Sequence, residues 1–211
     1  MKRVLFLTLL LTVFSGTFSS CKKGKADFTL KGVLTDETFN TPFANAQVKL
    51  YSVPVATSQM ILIGSSTTGS DGAYSFTFPR DKMEKYVLVV TKNNYFEINE
   101  TVLFSSLSIT EDNIRNYGTT AMSWARLVFL NTAPLASDHM RYIKQDGKSG
   151  CMECCPIAQQ DYYGALDTSI YCINDANTNY SFYYWIIGTS NQGLKSAYTT
   201  PFDTVNIVLN Y

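Results

Sequence analysis

Residues 73–79 read Ala-Tyr-Ser-Phe-Thr-Phe-Pro, with apolar and polar side chains in strict alternation directly after an Asp71-Gly72 pair. A period of two is what a half-buried strand requires, because successive side chains leave a strand on opposite faces. Glycine takes a positive φ without steric cost, so Asp71-Gly72 makes a tight turn before the run. Pro79 closes it, having no N–H to give to a ladder. The pattern recurs upstream in Phe28, Leu30 and Val33, and in Ala46, Val48 and Leu50. Residues 60–63, 86–90 and 95–102 add three more strand-like runs, the second of them apolar on both faces. No stretch sustains a helical period. Short strands separated by turn residues predict an all-β chain.

Charge excludes several functions. The 211 residues carry 17 Lys and Arg against 17 Asp and Glu, and only 16% are charged, where about 25% is usual. A balanced chain lacks the concentrated basic face that a nucleic acid demands, so no nucleic-acid partner is expected. A single histidine removes most metallohydrolase and Ser-His-Asp schemes. Acidic residues are scattered through predicted loops and form no pair suited to hydrolysis. The expectation is a non-catalytic chain with no cofactor and no metal.

The N-terminus looks like an address. Lys2 and Arg3 precede an apolar or Thr-containing stretch over residues 4–14, too short for a bilayer span of about 20 residues. Ser15, Gly16, Ser19 and Ser20 follow, and then Cys21. Small residues before a cysteine, after such a stretch, resemble the lipobox of bacterial lipoproteins, with Phe18 where Leu is commoner and Ser20 where Gly or Ala is. The resemblance implies a signal peptide over 1–20, diacylglyceryl modification of Cys21, and a lipidated tether over 21–26 anchored in the cell envelope, at the outer membrane. A plain secretory signal cleaved near Cys21 is the alternative. Lys22, Lys23 and Lys25 stand beside the anchor, against anionic headgroups or as the start of a solvated tether.

The first unit, over 27–103, has a recognisable order. Gly32, Asp36, Pro42, Ala46, Val48 and Leu50 come first, then Thr68, Asp71, Gly72, Tyr74 and Phe76, and finally Tyr86, Leu88, Val90 and Tyr95. This order resembles the carboxypeptidase regulatory-like domain, a transthyretin-like β-sandwich. The resemblance implies an accessory module and not a peptidase, since His139 is the lone histidine and lies outside this unit. Residues 104–118 are expected to connect the two units, with one helical turn from Thr110 to near Gly118.

The second unit, over 119–211, carries the remaining cysteines and a dense aromatic run. Residues 124–131, 140–143, 180–187 and 204–209 read as strands. Residues 184–200, with a turn at Asn191-Gln192-Gly193, resemble the last hairpin of immunoglobulin-like and fibronectin type III domains, so a second β-sandwich is expected. Cys151, Cys154, Cys155 and Cys172 make an even set, read first as two disulfides in an exported chain. Joining the adjacent Cys154 and Cys155 is strained, so Cys172 should take one of them and Cys151 the other. Either arrangement closes a loop of roughly seventeen residues, contributing about 3 kcal/mol in the chain-entropy model. A zinc site built from these thiolates with His139, or a redox-active Cys-x-x-Cys, are the alternatives. His139 is expected in a solvated loop.

On the strand at 180–187, Tyr180, Phe182 and Tyr184 share one face, and Tyr183 and Trp185 the other. Both faces pack if the strand is central. Otherwise Tyr183 and Trp185, with Tyr162 and Tyr163, form a platform for a glycan or an envelope protein. The expected function is a membrane-anchored structural or ligand-binding module. A carbohydrate-binding accessory protein, or a subunit of a surface assembly pairing through residues 204–209 or the Phe28 strand, are the alternatives.

Overall fold

The computed structural model describes residues 26–211, all of them in strands, turns, loops and two short 3-10 turns. The expected signal peptide over 1–20 and the expected lipidation site Cys21 lie outside the described residues. In chain order the first nine strands are β1 (Asp27–Asp36), β2 (Thr41–Pro42), β3 (Gln47–Pro54), β4 (Ile61–Thr67), β5 (Ala73–Pro79), β6 (Met83–Thr91), β7 (Ile98–Leu103), β8 (Asn113–Ile114) and β9 (Tyr117–Thr119). The rest are β10 (Met122–Leu130), β11 (His139–Asp146), β12 (Gln160–Tyr163), β13 (Asp167–Asp175), β14 (Thr178–Ile186), β15 (Gln192–Thr199) and β16 (Thr204–Asn210). The chain is all-β, two tandem sandwiches, each with its own core.

The first sandwich lays the β2-β1-β5 sheet, completed by β8 and β9 on β1, against a β4-β3-β6-β7 sheet. Alternation puts Tyr74, Phe76 and Phe78 of β5 inside with Phe28, Leu30, Val48, Leu50, Tyr86 and Leu88. The Asp71-Gly72 turn forms as expected: Gly72 has φ +69°, and a Cβ there would lie 2.4 Å from the Leu34 carbonyl oxygen. The buried Asp36 carboxylate is fully engaged, whereas the buried hydroxyls of Ser66 and Tyr86 have no partner among the described residues. The Tyr95 hydroxyl donates to Asp36 Oδ2 at 2.6 Å, and the Thr38 and Phe39 amides donate to Asp36 Oδ1.

Two expectations change here. The helical turn after Thr110 does not form, because Asn113 is buried and its side chain bonds the Thr29 and Ser108 carbonyls, drawing the segment onto β1. β8 and β9 then run parallel to β1, Leu30 facing Asn113 and Asp36 facing Thr119. Gly32 permits the approach, since a Cβ there would sit 1.7 Å from the Arg115 carbonyl oxygen. The Phe28 strand is accordingly no free edge: β1 is paired on both sides.

The second sandwich faces a β13-β10-β16 sheet against a β12-β11-β14-β15 sheet. Leu127 and Phe129 of β10 meet Met140, Tyr142, Tyr180 and Phe182 across the core. β16 lies parallel to β10 and is hydrogen-bonded on that side only. The sandwiches are joined closely. Ala121 and Ala176 are both buried in the first core, the Ala176 amide donating to the Ala121 carbonyl at 3.0 Å. Phe202 packs edge-on to Tyr95, ring centroids 5.4 Å apart, and the Lys148 ammonium lies 3.8 Å over Phe96 while bonding Asp175.

Candidate binding face of the second sandwich

Register decides which side chains of the β12-β11-β14-β15 sheet share a face. Arg141 stands opposite Asp161 on one side and Trp185 on the other, and Trp185 stands opposite Gln192. The next row holds Ile143, Tyr183 and Leu194, and the row beyond Arg141 holds His139 with Tyr163. All point away from the core, neighbours within a row about 4.8 Å apart across the strands and successive rows about 6.8 Å apart along them. Trp185 and Tyr183 are half-buried and lean together, centroids 4.7 Å apart. Tyr163 is 70% exposed and stacks on His139 at 4.2 Å.

Asp161 organises the charged part of this face. Its Oδ2 accepts from Gln159 at 2.8 Å; its Oδ1 meets His139 Nε2 at 2.6 Å and accepts from Arg141 Nε at 3.0 Å. The Gln159, His139 and Arg141 contacts hold its carboxyl down to about 2. A carboxylate so committed does not exchange protons near neutral pH. It orients Arg141, whose Nη groups have no hydrogen bond among the described residues. Rings flanking a fixed guanidinium and carboxylate present apolar faces next to directed donors, which is recognition chemistry.

The expected platform is only partly assembled. Tyr163, Tyr183 and Trp185 share this face, but Tyr162 does not. It faces the core, stacked on Tyr142 at 6.2 Å and packed on Phe129 at 6.0 Å, because residues adjacent on a strand point to opposite sides. His139, Arg141 and Asp161 are the residues of this face that sequence reasoning missed. His139 is no loop residue; it opens β11. The usable signal was the apolar alternation of Met140 and Tyr142, which extends one residue back to His139.

The cysteines lie apart from this face. Cys151 is bonded to Cys154 and Cys155 to Cys172, with Cα atoms 5.1 and 5.2 Å apart. The four sulfurs are thereby tied up, and among the described residues no three His, Cys, Asp or Glu side chains gather as a metal set. Lys144 holds the cysteine loop from inside: the residue is 7% exposed, and its ammonium donates to the carbonyls of Cys154 (2.9 Å), Cys155 (3.3 Å) and Lys148. Burial pushes the Lys144 ammonium below its usual range.

No protein-family model matches the chain, and no curated protein matches it. Solved structures similar to it include the Bacillus anthracis TIE protein, 14% identical at a TM-score of 0.34, over 88% of this chain and 34% of that one. A variant of the shaft pilin SpaA from Lactobacillus rhamnosus GG is 8% identical at a TM-score of 0.36, over 87% of this chain and 98% of the pilin. GBS52, the minor pilin of Streptococcus agalactiae, is 13% identical at 0.35, over 87% and 94%. The chain thus spans about a third of the first of these. At such TM-scores the likenesses carry no argument about this chain.

Proposed function

We propose that this chain is a non-catalytic, lipid-anchored module of the bacterial cell envelope that displays a ligand-binding face on its second sandwich. Export and anchoring rest on the signal-like N-terminus and Cys21. Binding rests on one observation: Tyr163, His139, Arg141, Trp185 and Tyr183 lie side by side on one outer sheet face, around an Asp161 with three polar partners. Sugar rings stack on aromatic faces, and their hydroxyls take directed bonds from Arg and Gln, so a glycan is the ligand this chemistry suits. Neither the committed Asp161 nor the scattered acids supply a proton-transfer pair.

Glycan-array binding of the mature chain tests the reading. Tyr183→Ala with Trp185→Ala should abolish binding while the melting temperature holds within a few degrees. Simple destabilisation, with binding of the folded fraction intact, would make the pair packing residues and remove the face. A second reading, a subunit of a surface assembly, is favoured by β16, which is uncharged and unpaired on its outer side. Concentration-dependent association, abolished by Val208→Lys, would support it.

A further inference from the structure

The described chain begins at one end of the first sandwich. The Arg80 amide donates to the Ala26 carbonyl at 2.9 Å, and Asp27 pairs with Pro79, so residue 26 lies beside the β5–β6 loop. β3 finishes at this same end, Pro54 facing Met83, and turns there into β4. β7 also ends there, Leu103 facing Lys85. Around this end Val55, Met60, Ile61, Leu62 and Leu103 are each 43–61% exposed. No charged residue occurs between Lys49 and Asp71, so the whole β3–β4 hairpin tip is uncharged. Isolated exposed apolar side chains are ordinary, but a cluster on one uncharged tip marks a contact surface.

Cys21 is five residues from Ala26. At 3.3–3.6 Å per residue that tether reaches at most about 18 Å, shorter than the roughly 33 Å length of a ten-residue strand such as β1. Anchored at Cys21, this end stays within about 18 Å of the bilayer, while the far end can move a strand length further away. β1 runs away from the anchored end, to Asp36 beside Thr119, where the chain passes into β10 and the second sandwich. The apolar tip and the tether thus share one end, and the candidate binding face belongs to the unit at the other.

We propose that the β3–β4 hairpin tip, through Val55, Met60, Ile61 and Leu62, dips into the phospholipid interface and holds the first sandwich upright on the bilayer. This rests on lipid anchoring at Cys21, which keeps the tip close to the membrane surface. Interfacial segments bury apolar side chains about 5–10 Å into the headgroup and acyl boundary, and the absence of charge on the tip removes the main cost of doing so. Arg80, Asp81 and Lys82 of the neighbouring loop are exposed and would lie level with the headgroups.

The test separates tip from anchor. The mature chain, with a hexahistidine in place of Cys21, is held on phosphatidylcholine vesicles containing a nickel-chelating lipid. A fluorophore is placed at Ser58→Cys or, on the second sandwich, at Asn191→Cys. Nitroxide-labelled lipids should quench the probe at 58 at least threefold more than the probe at 191. Met60→Ser, Ile61→Ser and Leu62→Ser together should erase that contrast at an unchanged melting temperature. Equal quenching at the two positions, or a contrast that survives the triple change, overturns the proposal. Vesicle flotation of the full chain against Cys21→Ser reads the anchor on its own: flotation unchanged by that substitution overturns the anchor but not the tip contact.

Discussion

Single residues fix the geometry at two points. Gly72 holds φ +69° with the Leu34 carbonyl where a Cβ would go. Gly72→Ala should therefore cost more than about 1 kcal/mol in urea unfolding, as substitutions at incompatible φ do. The need for glycine was legible in Asp71-Gly72, because turn stereochemistry is local. Asp161 was not legible, because its partners come from three separate positions along the chain, Gln159, His139 and Arg141. Its carboxyl drops from 3.8 to about 2 on folding. A lowered folded value contributes stability that is fully present above pH 3.8 and disappears as pH falls through about 2. Asp161→Asn should be less stable than the unchanged chain at pH 6, and the difference should vanish near pH 2 in unfolding measured at both values.

At the level of elements, neighbours along the chain were easier to read than neighbours in space. β5 and β6 stood out because each has an unmistakable apolar pattern. β13 went unread: in Asp-Thr-Ser-Ile-Tyr-Cys-Ile-Asn-Asp the polar residues mask a strand that β10 pairs along its whole length. The segment after Thr110 looked like a helix start, and burial of Asn113 against β1 overrode that local preference. Gly32→Ala should lift β8 and β9 from β1, so the amides of residues 113–119 should lose protection from hydrogen exchange while those of β6 keep it. The disulfides invite a comparison. Cys155–Cys172 spans 17 residues and Cys151–Cys154 spans 3, about 3 against about 2 kcal/mol of loop-closure entropy. Cys172 is also fully buried. Replacing Cys155 and Cys172 by Ala should lower the melting temperature more than replacing Cys151 and Cys154.

Across the whole molecule, the junction decides whether the sandwiches unfold as one. Ala176, from the second sandwich's β13–β14 turn, is buried in the first core. Calorimetry should show a single transition, and Ala176→Asp, which puts an unpaired charge into that core, should split it in two. The sequence by itself determined that the chain is all-β, where its main turns fall, and which cysteine pairings are geometrically open, because period, positive φ and chain adjacency are local properties. Only the tertiary structure decided that Tyr163 faces out while Tyr162 faces in, that β1 is central, and that the apolar hairpin tip shares an end with the chain's entry. Alternation shows that a strand has two faces. Which face is covered depends on strands far away in sequence, whose register only the packed fold sets.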